Sequence, residues 1–348
     1  MTQIYQRLIL STVFTVVSIL LVTAWISPPK DIITTPKAVL VMPQILAVKS
    51  PTIAPKFVPV LARGSEALLD GGNVRRADAG HVITPVNSVA ALERTFFKMG
   101  YDLKLIGAGQ ANVPRVFLAS MPGDIDQVRE SKKRKELFFR AVLPLVLQVN
   151  EEITRDRKRL SDLIAAKNSG YKTGPIDRLW LIVMAERYRS KSGDLNALIK
   201  RVDVIPPSLA LAQAAEESGW GTSRFVREGN AMFGQWTTEN SEQSIVPNTR
   251  DENKTHRIKA FDSLLQSVRA YARNLNTHRA YRHLRTKRHQ LRTDGNPLDG
   301  MTLAEQLTSY SERGEKYVKT LRSIIGTNNL RKFDDAQLIQ TIDKRPFI

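Results

Sequence analysis

Two adjacent carboxylates, Glu216 and Glu217, end an alanine-rich run, Gln213-Ala214-Ala215-Glu216-Glu217-Ser218-Gly219-Trp220-Gly221. Pro206 and Pro207 suit the first turn of a helix, where a missing N–H costs nothing. Ser208, Leu211, Ala212 and Ala215 recur at i, i+3, i+4 and i+7, which predicts a helix over 207–218 with an inward face. Gly219 supplies a left-handed stop. The two glutamates then lie in the last turn, where the helix dipole disfavours further negative charge. Apolar surroundings disfavour it as well, so both effects raise a carboxyl pKa. A carboxylic acid still protonated near neutral pH is the group that protonates a leaving glycosidic oxygen. A Glu pair ending a helix is, by itself, more often a solvated charge.

The residues that follow narrow the choice. Gly229-Asn230 reads as a turn, and Phe233-Gly234 permits close approach of backbone to an adjoining groove. Trp220, Phe233 and Trp236 offer aromatic faces of the kind that stack on sugar rings, with core packing as the other reading. Gln235, beside Trp236, is a candidate substrate contact.

Ala212-Gln213-Ala214-Ala215-x-Glu217-Ser218-Gly219-Trp220-Gly221 together with Gly229-Asn230-x-Met232-Phe233-Gly234 resembles the glucosaminidase family of bacterial cell-wall hydrolases, in particular its Bax-type branch. The resemblance spans about residues 203–325, and Met121-Pro122 with the Arg134–Ile153 stretch extends it to about 115 onward. It implies a lysozyme-like fold and cleavage of the β-1,4 bond after N-acetylglucosamine in peptidoglycan, with no cofactor or metal. Glu217 falls on the family's catalytic acid, and Glu216 stands where the family more often has an apolar residue. The family's second acid is carried on a hairpin after the Phe-Gly element. Glu239, Glu242, Asp251 and Glu252 all lie in that region, and Glu239, after Thr237-Thr238, follows part of the family pattern. A partner carboxylate stands about 5–5.5 Å away for retention and roughly 6.5–9.5 Å away for inversion. In a single-acid scheme the substrate's own acetamido group attacks instead. Leu307-x-x-Tyr310 and Tyr317 resemble a tyrosine-bearing element of the family, which makes Tyr310 a candidate to orient that group; its other reading is a buried Tyr with a satisfied hydroxyl.

The elements that must hold these residues are mostly helical. Helices are predicted at Val89–Lys98, 127–166, 176–190, 194–202, 207–218, 263–276 and 302–325. Pro144 should kink or split the long one. Ser263-x-x-Gln266 and Thr302-x-x-Glu305 are capping-box signatures. Strands are expected at Tyr101–Ile106 and Arg115–Ala119, and a hairpin or long loop over 236–261. The expected fold class is therefore mainly α, a lysozyme-like helical domain with a small β-hairpin lobe.

Before that domain, Leu8 to Ile26 is uncharged for 19 residues, close to the length that spans a bilayer core. A cleaved signal peptide ending near Val22-Thr23-Ala24 is the rival reading. Either reading places the body of the protein outside the cytoplasm, in the periplasm if the segment anchors it to an inner membrane. Residues 27–85 hold eight of the 17 prolines and read as an extended tether. The expected organisation is an anchor or signal (1–27), a Pro-rich linker (28–85), an accessory region (86–170), the glucosaminidase domain (171–332) and a tail (333–348).

The 348 residues carry a net charge of +18, and cysteine is absent, which excludes disulfides and thiolate metal sites. Arg269 to Arg292 contains eight Lys and Arg and no Asp or Glu, with Arg282 and Arg285 central to it. A nucleic-acid surface is one reading, but export argues against it. An acidic polymer partner such as peptidoglycan, with its stem-peptide carboxylates, and a solvated helical face are the other two. His278, His283 and His289 lack the i, i+4 spacing of a helical zinc pair. Ser218 has no nucleophile-elbow context. A lytic transglycosylase and a non-catalytic wall-binding scaffold are the competing functions.

Overall fold

A computed structural model of the chain describes residues 75–77, 81–84, 86–237, 244–246 and 257–340. The expected membrane helix, most of the expected tether and residues 341–348 lie outside them; the last part of the tether, at 75–77 and 81–84, is described and is β-strand. Among the described residues no helix is long and apolar enough to cross a membrane.

Eleven α-helices are described: α1 (Val89–Lys98), α2 (Leu103–Gly107), α3 (Ser131–Asn168), α4 (Pro175–Arg187), α5 (Leu195–Arg201), α6 (Pro207–Ser218), α7 (Arg224–Gly229), α8 (Leu264–Thr277), α9 (Arg282–Thr293), α10 (Gly300–Ala304) and α11 (Glu315–Thr327). Two small sheets accompany them. In the first, β1 (Arg75–Ala77) pairs antiparallel with β2 (His81–Thr84), which pairs parallel with β3 (Val116–Leu118). In the second, β6 (Arg257–Lys259) lies between β4 (Trp236–Thr237) and β5 (Ser244–Ile245), antiparallel to both. This second sheet is the β lobe expected within 236–261.

The helix carrying the glutamates sits at the centre. Every residue of α6 from Pro207 to Ala215 is buried, as befits a helix apolar all round. Alanines at 210, 212, 214 and 215 keep it slim enough to pack against α3, α10, α11 and the 3-10 turn Leu330–Phe333. Pro206 offers no side-chain cap, so Asp334 supplies one from far along the chain: its carboxylate accepts from Ser208 N at 2.7 Å and Ser208 Oγ at 2.8 Å. Phe333 and Leu338 are buried, and Val113 forms a parallel bridge with Leu338. Phe333 and Leu338, in the stretch expected to be a tail, thus pack into the core. The same core takes in Val89 and Phe96 of α1 and Leu137 to Val149 of α3.

Four expectations need correction. Tyr101–Ile106 is not a strand: Asp102 caps α2, accepting from Lys104 N at 2.7 Å, and Leu103 and Ile106 bury one face at i, i+3. Pro144 does not split α3, which runs unbroken over 38 residues. Burial of the surrounding Leu137–Val149 segment outweighs a proline cost of about 3 kcal/mol. The helix expected over 302–325 is two, α10 and α11. Asp299, accepting from Met301 N and from Thr302 Oγ1, caps α10 in place of Thr302. Gly314, at φ +51°, then turns the chain into α11.

The fourth concerns the basic run. Arg285 and Arg288 are buried: Arg285 donates to the carbonyls of Leu275 and His278, and Arg288 to Asn276 Oδ1 at 2.7 Å and to Val204 O at 3.0 Å. Arg292 grips the buried Asp203 with two 2.7 Å hydrogen bonds. The stretch that reads as a uniform cationic face therefore buries two arginines inside the fold and pairs a third, Arg292, with a buried aspartate, so Arg285 does not offer its charge to a polymer.

Candidate functional site

The chain leaves α6 through three consecutive left-handed residues, Gly219 at φ +57°, Trp220 at +62° and Gly221 at +82°. Gly219 is the expected stop, and it leaves Glu217 in the last turn of the helix. The Glu217 side chain is half-buried. Burial raises its pKa, and the neighbouring Glu216 adds to the rise. A hydrogen bond from Tyr317 and the charge of Arg313 oppose it without cancelling it. Glu216 itself pairs with Arg313 at 2.7 Å.

One oxygen of Glu217 is engaged from below. Tyr317 donates to Oε1 at 2.8 Å. Gln213, one turn earlier on the same face of α6, donates to Tyr317 Oη at 3.1 Å and accepts from the Tyr271 hydroxyl at 2.8 Å. Gln213, Tyr271 and Tyr317 are all buried, and each of their side-chain polar atoms has a partner. The other oxygen, Oε2, has no hydrogen-bond partner among the described residues and faces Gly234. A β-carbon added at Gly234 would stand 3.9 Å from it, and Gly234 is at φ +54°, where only glycine is unstrained.

Aromatic rings close the site on one side. Tyr310, half-buried, stacks on Tyr317 with centroids 5.4 Å apart and planes 4° apart, and Tyr281 lies 5.6 Å from Tyr310. Burial, then the charge of Glu217, pushes the Tyr310 phenol well above its ordinary pKa, so it remains a neutral donor. The break between α10 and α11 creates this stack, because a continuous helix would not fold Tyr310 back over Tyr317.

The other sequence candidates divide. Gln235 borders a cleft beside Gly234, and its carbonyl accepts from Lys259 N at 2.8 Å. Trp236 is placed by its backbone, paired with Ile258 in the small sheet. Phe233 is buried and stacks on Tyr271 at 3.8 Å, so its role is core packing. Trp220 points away to α3, edge-on to Phe138 and Phe139 at 5.9 and 5.5 Å, beneath the Lys135 ammonium. Glu239, Glu242, Asp251 and Glu252 lie outside the described residues. Gln213 and Tyr271 were not singled out as site residues from sequence; the available signal was a lone amide on an otherwise apolar helix, one turn before the glutamate.

The Gly-Asn-x-Met-Phe-Gly motif ties the β lobe to this site. Asn230 is left-handed at φ +53° and donates to Phe261 O at 3.0 Å, while Phe261 N donates to Gly229 O at 2.9 Å. Met232 N donates to Ser267 Oγ on α8 at 3.1 Å. The segment from 229 to 234 is thereby fixed to Phe261, just after β6, and to α8, and Gly234 faces the carboxyl.

Parts of this chain are similar to known proteins. Residues 194–330 match the family model Glucosaminidase, described as mannosyl-glycoprotein endo-beta-N-acetylglucosaminidase. Protein bax of Escherichia coli (strain K12) is 35% identical over 205 residues, 57% of this chain and 71% of that one. Among solved structures, the catalytic domain of the autolysin Auto from Listeria monocytogenes is 19% identical, covering 50% of this chain and 96% of that one at a TM-score of 0.29. On the extent of the match to the Escherichia coli protein and the coincidence of the family region with the helices around Glu217, the chain belongs to the Bax-type branch of the glucosaminidase family.

Proposed function

We propose that the protein is a peptidoglycan hydrolase that cleaves the β-1,4 bond after N-acetylglucosamine in glycan strands, with Glu217 as the general acid. The observation that carries this reading is the division of labour between the two oxygens of Glu217. Oε1 accepts from Tyr317, which leaves Oε2 to hold the proton and give it to the bridging sugar oxygen. Burial keeps the carboxyl protonated to higher pH than an exposed glutamate. As the proton moves to the leaving oxygen, the bond from the anomeric carbon breaks and the sugar takes on oxocarbenium character. Tyr310, neutral and stacked beside Tyr317, is suited to orient the substrate's acetamido group. Glu239 is the proposed second group, activating water or stabilising the cation, and Gln235 and Trp236 are proposed contacts to the glycan. The working domain is proposed to act in the periplasm, held to the inner membrane by residues 8–26.

Tyr317→Phe tests the arrangement through pH. The phenol stabilises the carboxylate, so its loss should raise the Glu217 pKa further. The acid remains competent only while protonated, and the alkaline limb of the pH–rate profile is therefore expected to move to higher pH, with kcat reduced as the carboxyl loses its anchor. An alkaline limb that stays in place or moves down would contradict the hydrogen bond's role.

The reaction class is tested by digesting purified sacculi, reducing with borohydride and identifying the ends by mass spectrometry. Reduced glucosamine ends are the expected product. Anhydro-muramic ends would assign a lytic transglycosylase instead, and no released fragments a binding scaffold.

A further inference from the structure

Beside Gly234 the surface opens into a cleft of about 680 Å³ that runs from Gln235 and Thr237 along α8. Its charge is one-sided. Arg189, Lys259, Arg269 and Arg273 line it, all four exposed, and no Asp or Glu is among its described lining residues. Arg269 is partnered by Glu152 at 2.6 Å; Lys259 stands over the Phe261 ring at 5.3 Å. The other walls are polar or small: Gln266, Asn274, Thr277, Ala260 and Ala270.

Arg189 occupies its place against the preference of the backbone. After α4 the chain forms a Schellman ending, with Ser190 N donating to Ala185 O at 2.8 Å and Arg189 N to Glu186 O at 3.0 Å. The position after the cap requires a left-handed residue, ordinarily glycine, and Arg189 adopts it at φ +52°. The Arg189 side chain is exposed and lines the cleft. Backbone strain of this kind clusters at ligand-binding sites.

We propose that this cleft is a carboxylate-binding site that takes the acidic peptide stems carried by the glycan strand, so that the enzyme prefers peptide-bearing strands over bare ones. The proposal rests on the glycan reading of the Glu217 site, and it adds a substrate class to it. The cleft begins one residue from the glycine that faces Glu217 Oε2, so a strand seated at the carboxyl would carry its stems past these cations. The fork of an arginine matches a carboxylate, and several exposed pairs acting together give selectivity that salt screens.

The test measures binding of an N-acetylated stem peptide with free carboxylates to the full chain, by calorimetry, and of the same peptide with its carboxylates amidated. Glu217→Gln serves as the binding-competent, non-cleaving form. Amidation is expected to weaken binding roughly three- to tenfold, since one exposed ion pair is worth at most about fivefold. Arg189→Gly should weaken it several-fold while holding or raising the melting temperature, and Arg189→Gly with Arg273→Gln should weaken it further. Equal affinity for the two peptides, no binding of either, or unchanged affinity in the double variant would overturn the proposal. Because binding is read without turnover, a chain that binds the acidic peptide as expected but releases nothing from sacculi would refute the hydrolase reading and leave this site standing.

Discussion

Glu217→Gln is expected to remove nearly all turnover on sacculi, by about 10²–10⁴-fold, the worth of a positioned general acid. The substitution preserves shape, and the new amide oxygen can still accept from Tyr317. Folding should not suffer. A carboxyl whose folded pKa lies above its unfolded value binds protons better in the native state, so its ionisation opposes folding as pH rises through that interval. At neutral pH a neutral Gln removes that opposition, and the melting temperature should stay level or rise. Loss of activity with retained or greater stability is the usual mark of a residue held for chemistry. The assignment is refuted if the variant keeps more than about a tenth of wild-type turnover, a reduction far smaller than acid catalysis supplies.

The second large effect is structural. Asp203, only 2% exposed, lies between α5 and α6 and gathers three arginines: Arg292 by two 2.7 Å hydrogen bonds, Arg157 at 3.5 Å and the fully buried Arg288 at 3.6 Å. Asp203→Asn is expected to destabilise the fold by about 3–5 kcal/mol, because the Arg288 charge loses its counter-ion and cannot reach water. Urea denaturation at pH 7 measures this; a loss below about 1 kcal/mol would mean that the arginines rehydrate freely. The pH dependence follows from the shift. Burial acts to raise the Asp203 pKa, but Arg288, Arg292 and Arg157 outweigh it and hold the group below the ordinary range. Its stabilisation is therefore present above the unfolded pKa of about 3.9 and is lost as pH falls through the lower folded value. The variant should show less acid sensitivity in that window.

This cluster also explains why the arginine-rich stretch was misleading. Arg288 and Arg292 lie more than 80 residues from Asp203 along the chain, and a run free of acids gives no sign of a counter-ion supplied by another helix. The cations that do line a cleft beside the site are scattered instead, at 189, 259, 269 and 273. Trp220 shows a related effect. Its ring was a plausible sugar platform, but its left-handed backbone turns it to Phe138 and Phe139.

Local chemistry was legible wherever the deciding interactions lie within a turn or two of sequence. The span of α6, the Gly219 stop, the Ser263 cap and the turn at Gly229-Asn230 follow from proline, glycine and side-chain caps acting on their own neighbours. The motif around Glu217 and the Gly-Asn-x-Met-Phe-Gly segment were visible for the same reason. What folding alone decided was which distant groups meet: Asp334 at the start of α6, Tyr317 and, through Gln213, Tyr271 beneath Glu217, Tyr310 over Tyr317, and three arginines around one aspartate. Periodicity reports which face of a helix is buried, but a buried polar group is satisfied by whatever partner the packing brings within 3 Å, and that partner has no fixed offset along the chain.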